Sequence, residues 1–392
     1  MQFKKNLIRP PVLHPANPQE DRHATWLELF YDLMFAAAIS HLADALSKNY
    51  SFTGLMAYLF LFFPVWWAWV GQTLYLSRFD SDDLSHRFLA VLQMIAIALL
   101  IVHIRDGLHV TSVGFALSYA VVRLLLVLQY ALAGFFIQKV RTLTTRYAVG
   151  FGIAALLWAL SVMVPPPYRL ALWGVACIID ILTPLTAGVL HIKFPPSFTH
   201  LPERFAVFVL IVLGESLVDV IIGIDKSGLH LESVLVAILG LLIAFSLWWV
   251  YFDGFQVTHA FLKKSKHFLL RHELWLYAHL PICMAIPIVS VGIECVIGLK
   301  PGEALQPCQS IIVCGALAIT QMALLLVSFS LRTDLLKEPM LPFVMPHAFV
   351  ALGVFGLGFI GHLMAASTLI SLLAIFCLAS IILTLREEPI RQ

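Results

Sequence analysis

Apolar runs of about twenty residues, the length at which an α-helix crosses a bilayer, recur along nearly the whole of this chain. Twelve can be marked, over approximately residues 25–46, 52–76, 87–104, 110–135, 144–164, 168–190, 203–224, 231–253, 270–298, 308–331, 342–361 and 364–385. Only 12% of the residues are charged and 60% are hydrophobic. A water-soluble domain carries about 25% charged residues, so this chain has too few charges to cover a surface facing water. The expectation is an all-α, polytopic membrane protein with about twelve transmembrane helices. The last two runs are divided only by Gly361–Ala366, and one long segment is the alternative there.

Loop charges set the orientation. Of the 25 Lys and Arg residues, 19 fall in loops or at run ends on the side of the N-terminus, 5 on the other side, and Arg123 lies deep within a run. Positive charge is retained on the cytoplasmic side, so both termini are expected in the cytoplasm. Residues 1–24 are polar and Pro-rich. The first long apolar run comes late and is acidic, unlike a secretory signal, so no cleavage is expected.

The chain also repeats. An offset of 175 sets Glu28 against Glu203, Phe30 against Phe205, Ser40 against Glu215 and Asp44 against Asp219. An offset of 182 sets Phe63, Trp66 and Trp67 against Phe245, Trp248 and Trp249. Two six-helix repeats, 25–190 and 203–385, follow from this, joined by a linker over 191–202 and flanked by cytoplasmic segments 1–24 and 386–392. An even number of spans per repeat makes the two parallel, with a cleft between them.

Ionisable groups inside such runs are costly and point to function until a partner explains them. In the first run Glu28 and Asp32, four residues apart, share a helix face. They can accept a cation at the cytoplasmic mouth; the structural alternative has Glu28 capping the first turn and Asp32 bonded to a neighbouring helix. Asp44 and Asp219 match each other near the outer side. Arg123, Asp180 and Glu215 lie near the centres of their runs. One arginine and two acids leave a carboxylate over, a group that can carry a proton through a transport cycle; a helix-locking ion pair is the alternative. His279, flanked by Pro281 and Pro287, is either a proton relay or a satisfied core histidine. Trp66, Trp67, Trp69, Trp248 and Trp249 read as an interfacial belt.

The runs LELFYDLMFAAAISHLADAL (27–46), ERFAVFVLIVLGES (203–216), WWVYFD (248–253) and YAHLP (277–281), with Arg123, resemble the bacterial low temperature requirement protein A (LtrA) family over nearly the whole chain. The resemblance implies the membrane architecture and a place in the bacterial cytoplasmic (inner) membrane; it implies no particular chemistry. FYDLMFAAAI also looks like the FSD-type opening of six-helix potassium channels, with Tyr31 where that motif has Ser and no counterpart in the second half.

Other classes lack their motifs. No GxxxxGK[ST] occurs, HELWLYAH lacks the HExxH spacing, and GESLV lacks the second glycine of GxSxG. No basic tract suggests nucleic acid. Six scattered cysteines include no CxxC; Cys295 and Cys308 bracket an outer loop and could form a bridge. The expectation is a non-enzymatic protein without cofactor or metal, partnered by the lipid bilayer and an unknown small solute or ion, with homo-oligomers open. It would move that solute, with proton coupling through buried carboxylates left open; a cation channel, or a lipid-related enzyme or scaffold, are the alternatives.

Overall fold

The computed structural model describes residues 10–14, 22–80, 83–197, 199–255, 268–331 and 341–387. The start of the N-terminal segment and the tail beyond residue 387 lie outside the described residues. Twelve long helices make up most of what is described: α1 (Trp26–Ser47), α2 (Phe52–Leu76), α3 (Leu84–Val102), α4 (Ser112–Phe136), α5 (Arg141–Leu160), α6 (Tyr168–Leu185), α7 (His200–Ser227), α8 (Leu231–Phe255), α9 (Phe268–Ile297), α10 (Pro307–Leu331), α11 (Leu341–Ile360) and α12 (Ala366–Glu387). Twelve described segments are long and apolar enough to cross a membrane; the chain is a multi-pass membrane protein. The last two runs are separate helices, divided by a single 3-10 turn at Gly361–Leu363. The described β structure is one antiparallel pairing of Val12–Leu13 with Phe79–Asp80.

The chain forms two compact units, one of residues 1–41 and 60–204, the other of residues 42–59 and 205–392. In the first, α4 packs on α3 and α5, and α5 on α6. Its core is aromatic at one end, where Tyr75, Phe79, Tyr130, Tyr147 and Phe151 cluster with Leu126, Leu143 and Phe194. At the other end Trp158 and Trp173 stack at 4.6 Å. Apolar side chains face outward along these helices as well, among them Leu117, Val121, Leu124 and Leu128 of α4. That two-sided apolar character is what lipid contact on one flank and core contact on the other require.

In the second unit α10 packs on α9 and α11, and α8 on α9 and α12. Small residues let α11 come close: a Cβ on Gly358 would lie 3.2 Å from Cys314 Cβ and 3.3 Å from Ile311 Cα. Ser310 Oγ uses this proximity to donate to the Gly358 carbonyl at 3.0 Å. Tyr50 and Tyr58 hydroxyls donate to the Ile288 and Met284 carbonyls of α9. All six cysteines are free, so Cys295 and Cys308 form no bridge.

Two structural findings bear on the site. Within the 191–202 stretch a short helix, Val189–Lys193, extends to residue 193, after Gly188 at φ +40°, a value that favours glycine. Helix α7 then begins at His200, before Pro202. Proline is tolerated in a first turn because its missing N–H would have had no helical partner there. Trp66, Trp67 and Trp69, expected in an interfacial belt, are buried.

Candidate functional site

The start of α1 is fixed by a reciprocal capping box. The Glu28 N–H donates to Thr25 Oγ1 at 3.3 Å, and the Thr25 N–H donates to Glu28 Oε2 at 3.0 Å. The box satisfies backbone donors that a first helical turn leaves open. It also holds the Glu28 carboxylate facing the first turn of α7. There His200 Nε2 donates to Glu28 Oε2 at 2.9 Å and Arg204 Nη1 stands 3.4 Å from the same oxygen. Arg22 reaches Glu28 Oε1 from the rim at 3.7 Å.

One turn further along α1, Arg204 Nη2 donates to Asp32 Oδ1 at 2.6 Å. Trp69 Nε1 of α2 donates to that same oxygen at 2.7 Å. The second oxygen, Oδ2, has no hydrogen-bond partner among the described residues, and neither has the adjacent Tyr31 hydroxyl. Glu28, Asp32, His200 and Arg204 are all buried. Two carboxylates four residues apart on one helix therefore share a single buried guanidinium. Glu28 is thus both the helix cap and a member of the ionic cluster, and Asp32 is both a helix-to-helix tie and an acid with bonding capacity left.

Arg123 and Asp180 meet between α4 and α6 at 2.5 Å, with both side chains fully buried. The Tyr119 hydroxyl donates to the other Asp180 oxygen at 3.2 Å. The guanidinium carbon lies 4.2 Å from the centre of the Phe151 ring, a cation–π contact that helps to solvate a charge out of water. Nε and Nη1 of Arg123 have no hydrogen-bond partner among the described residues. Gly71 of α2 makes room for this arginine: a Cβ there would lie 2.8 Å from Arg123 Nη1. Beside it runs an amide chain. Gln93 Nε2 of α3 donates to Gln72 Oε1 at 3.5 Å, and Gln72 Nε2 donates to Gln129 Oε1 of α4 at 3.1 Å.

A third buried knot ties the ends of α2, α5 and α6. Arg78 donates through Nη2 to His191 Nδ1 at 3.0 Å and through Nε to the Phe194 carbonyl at 3.1 Å. His191 Nε2 lies 3.0 Å from the Tyr147 hydroxyl and 3.1 Å from the Pro184 carbonyl.

The remaining predicted residues belong to the second unit. Asp219 is buried and accepts from Ser290 Oγ at 2.6 Å. Glu215, one turn before it, is half-buried. Glu215 and Glu294 place like charge near Asp219, and Lys226 opposite charge. Lys226 itself bridges to Glu294 at 2.7 Å. Asp44 pairs with Lys48 at 2.6 Å on an exposed turn. His279 is fully buried with both ring nitrogens bonded, Nδ1 to the Trp275 carbonyl at 2.7 Å and Nε2 to the Tyr251 hydroxyl at 3.0 Å.

Arg204, His200, Arg78, His191 and the three glutamines are not singled out from the sequence, and Trp69 is read there only as part of an interfacial belt. Arg204 and Arg78 count there as loop cations, yet both are wholly buried. A signal for α7 was present: Ser197 Oγ accepts the His200 N–H at 3.3 Å, and the Ser-x-x-His-x-Pro-Glu stretch is what a helix start looks like. The helix begins three residues before its apolar run, which leaves His200 outside that run and Arg204 at its edge.

The chain is 29% identical over 285 residues, covering 69% of its own length and 68% of the other's, to the uncharacterized protein RA0937 of Rhizobium meliloti (strain 1021). The sequence model of the bacterial low temperature requirement A protein matches residues 23–384, a stretch holding every site residue described above except Arg22. The chain therefore belongs to the bacterial low temperature requirement A protein (LtrA) family.

Proposed function

We propose that the chain moves a small solute or ion across the cytoplasmic membrane of a bacterium, with protons as a coupling ion, and that it is a carrier and not an enzyme. The observation that carries this reading is the cluster on α1 and α7, where Glu28 and Asp32 share the buried Arg204 and Asp32 Oδ2 keeps its bonding capacity unused. Ionisable groups within spans are expensive and mark solute or proton pathways. A single proton on Glu28, Asp32 or His200 changes the charge of this cluster by one unit. A charge change in a low-dielectric site is what a conformational cycle can be driven by. Arg123 with Asp180, and Glu215 with Asp219, are the further groups through which protons would move. On this reading both termini face the cytoplasm, as the loop charges suggest.

The test is flux in proteoliposomes. With a pH-sensitive dye inside and an imposed potential, the wild-type chain is expected to pass protons in a gradient-coupled, saturable manner. Asp32→Asn is expected to abolish that flux while the protein stays monodisperse; Asp180→Asn and Glu215→Gln are expected to reduce it. Unchanged flux in all three removes the proposal. Unitary currents would establish a channel instead, and altered lipid composition without flux an enzyme.

A further inference from the structure

A groove of about 870 Å³ opens between α5 and α6, and nothing in the ionic clusters above uses it. Its lining changes character along its length. At one end stand Arg141 and Arg146 with Thr142 and Thr145; at the other, Val149, Ile179 and Leu182. The α5 side follows helical spacing, so 141, 145 and 149 lie on one line and 142 and 146 on the next. Both arginines are exposed, and neither forms an ion pair with a described residue. The floor of the groove is closed. A Cβ on Gly150 would run into Thr183, so the two helices touch along the floor of the groove. The Thr183 hydroxyl is spent on the Ile179 carbonyl at 2.7 Å. What is left to bind is two guanidinium groups at the end of a span, followed by an apolar channel leading along it.

We propose that this groove holds one anionic phospholipid, its phosphate on Arg141 and Arg146 and an acyl chain along Val149, Ile179 and Leu182. Arginine forks match phosphate oxygens in pairs. Basic pockets between spans on the cytoplasmic side are suited to anionic headgroups, and the loop-charge bias puts this end of α5 on that side. The apolar stretch selects a lipid over a free anion, because a free anion has no use for it. The inference does not depend on transport: the groove is separate from the Asp32 and Asp180 clusters, and lipid binding is read without any flux.

The experiment is native mass spectrometry of the full chain in detergent, titrated with phosphatidylglycerol, phosphatidylcholine or inorganic phosphate. Phosphatidylglycerol is expected to bind roughly ten- to thirtyfold more tightly than phosphatidylcholine, given what two cations near the headgroup layer contribute. Arg141→Gln with Arg146→Gln is expected to erase that preference, and Lys193→Gln, at another exposed cation, to keep it. Val149→Trp is expected to weaken binding of both lipids by filling the apolar end. Both arginines are exposed, so the double variant is expected to fold, as an unchanged Tm checks. Equal binding of the two lipids, a preference that survives the double variant, or inorganic phosphate competing as well as the lipid would each overturn the proposal.

Discussion

Arg204 of α7 and Asp32 of α1 meet at 2.6 Å with both side chains fully buried, although one was read as a loop cation and the other as an acid inside a span. Removing one partner of such a pair leaves an uncompensated charge out of water, at a cost of about 3–5 kcal/mol. Arg204→Met is therefore expected to lower the thermal stability of the detergent-solubilised protein sharply. Arg204→Met combined with Asp32→Asn is expected to cost less than the two single changes added together, with a coupling of about 0.5–3 kcal/mol. Strict additivity in that double-mutant cycle would show that the two groups do not interact.

Gly71 is predicted to tolerate no side chain. A Cβ there lies 2.8 Å from both Arg123 Nη1 and Leu126 Cδ2. Gly71→Ala is expected to cost about 1–3 kcal/mol, the range for overpacking a filled interior. Gly152→Ala and Gly174→Ala are the controls, since nothing lies within 4 Å of a Cβ at either position. In those two, alanine is expected to be neutral or to stabilise by up to about 1 kcal/mol through helix propensity. Equal effects at all three sites would refute the close approach of α2 to Arg123.

The Arg123–Asp180 pair separates a structural from a chemical role. Arg123→Met alone is expected to cost about 3–5 kcal/mol, whereas Arg123→Met with Asp180→Leu should recover most of that, because apolar replacements of a whole buried pair are often neutral. If the recovered double variant also retains proton flux in liposomes, the pair is a lock between α4 and α6, and the transport reading rests on the Glu28–Asp32 cluster and on Glu215 with Asp219.

Cysteine chemistry gives a direct check on the second unit. With six free thiols, denaturing treatment with N-ethylmaleimide and no reductant is expected to add six labels to the intact mass. Four labels would demonstrate a bridge, and Cys295 with Cys308 would be the first pair to test by substitution.

The helices were legible because a span must be apolar for about twenty residues and hydropathy alone marks it. The site was legible only where a charge interrupts such a run. Asp32, Arg123 and Asp180 stand out in this way, and all three are buried in ionic contacts. Arg204 and His200 did not, because Pro202 and Glu203 make the start of α7 look like the end of a loop. Arg78 was hidden for the same reason at the other end of a helix, just past Leu76, the last residue of α2. The pairing of Arg123 is also invisible to sequence: both Asp180 and Glu215 are mid-run acids, and only packing of α4 against α6 through α5 brings Asp180 to it. Gln72, Gln93 and Gln129 carry no charge to flag them, and each looks like an isolated polar residue until the three helices are set side by side.

That amide chain has a mechanical consequence. Each glutamine bond is directional, running from Gln93 through Gln72 to Gln129, and a side chain on a helix swings by about 100° for every residue of rotation. Turning α2 by even one residue would break both links at once and strand amides where no water can replace the loss. At the level of Gln72, Gln93 and Gln129, α2, α3 and α4 are therefore tied in one rotational register, and a displacement that keeps the three glutamines together costs less than one that turns α2 alone.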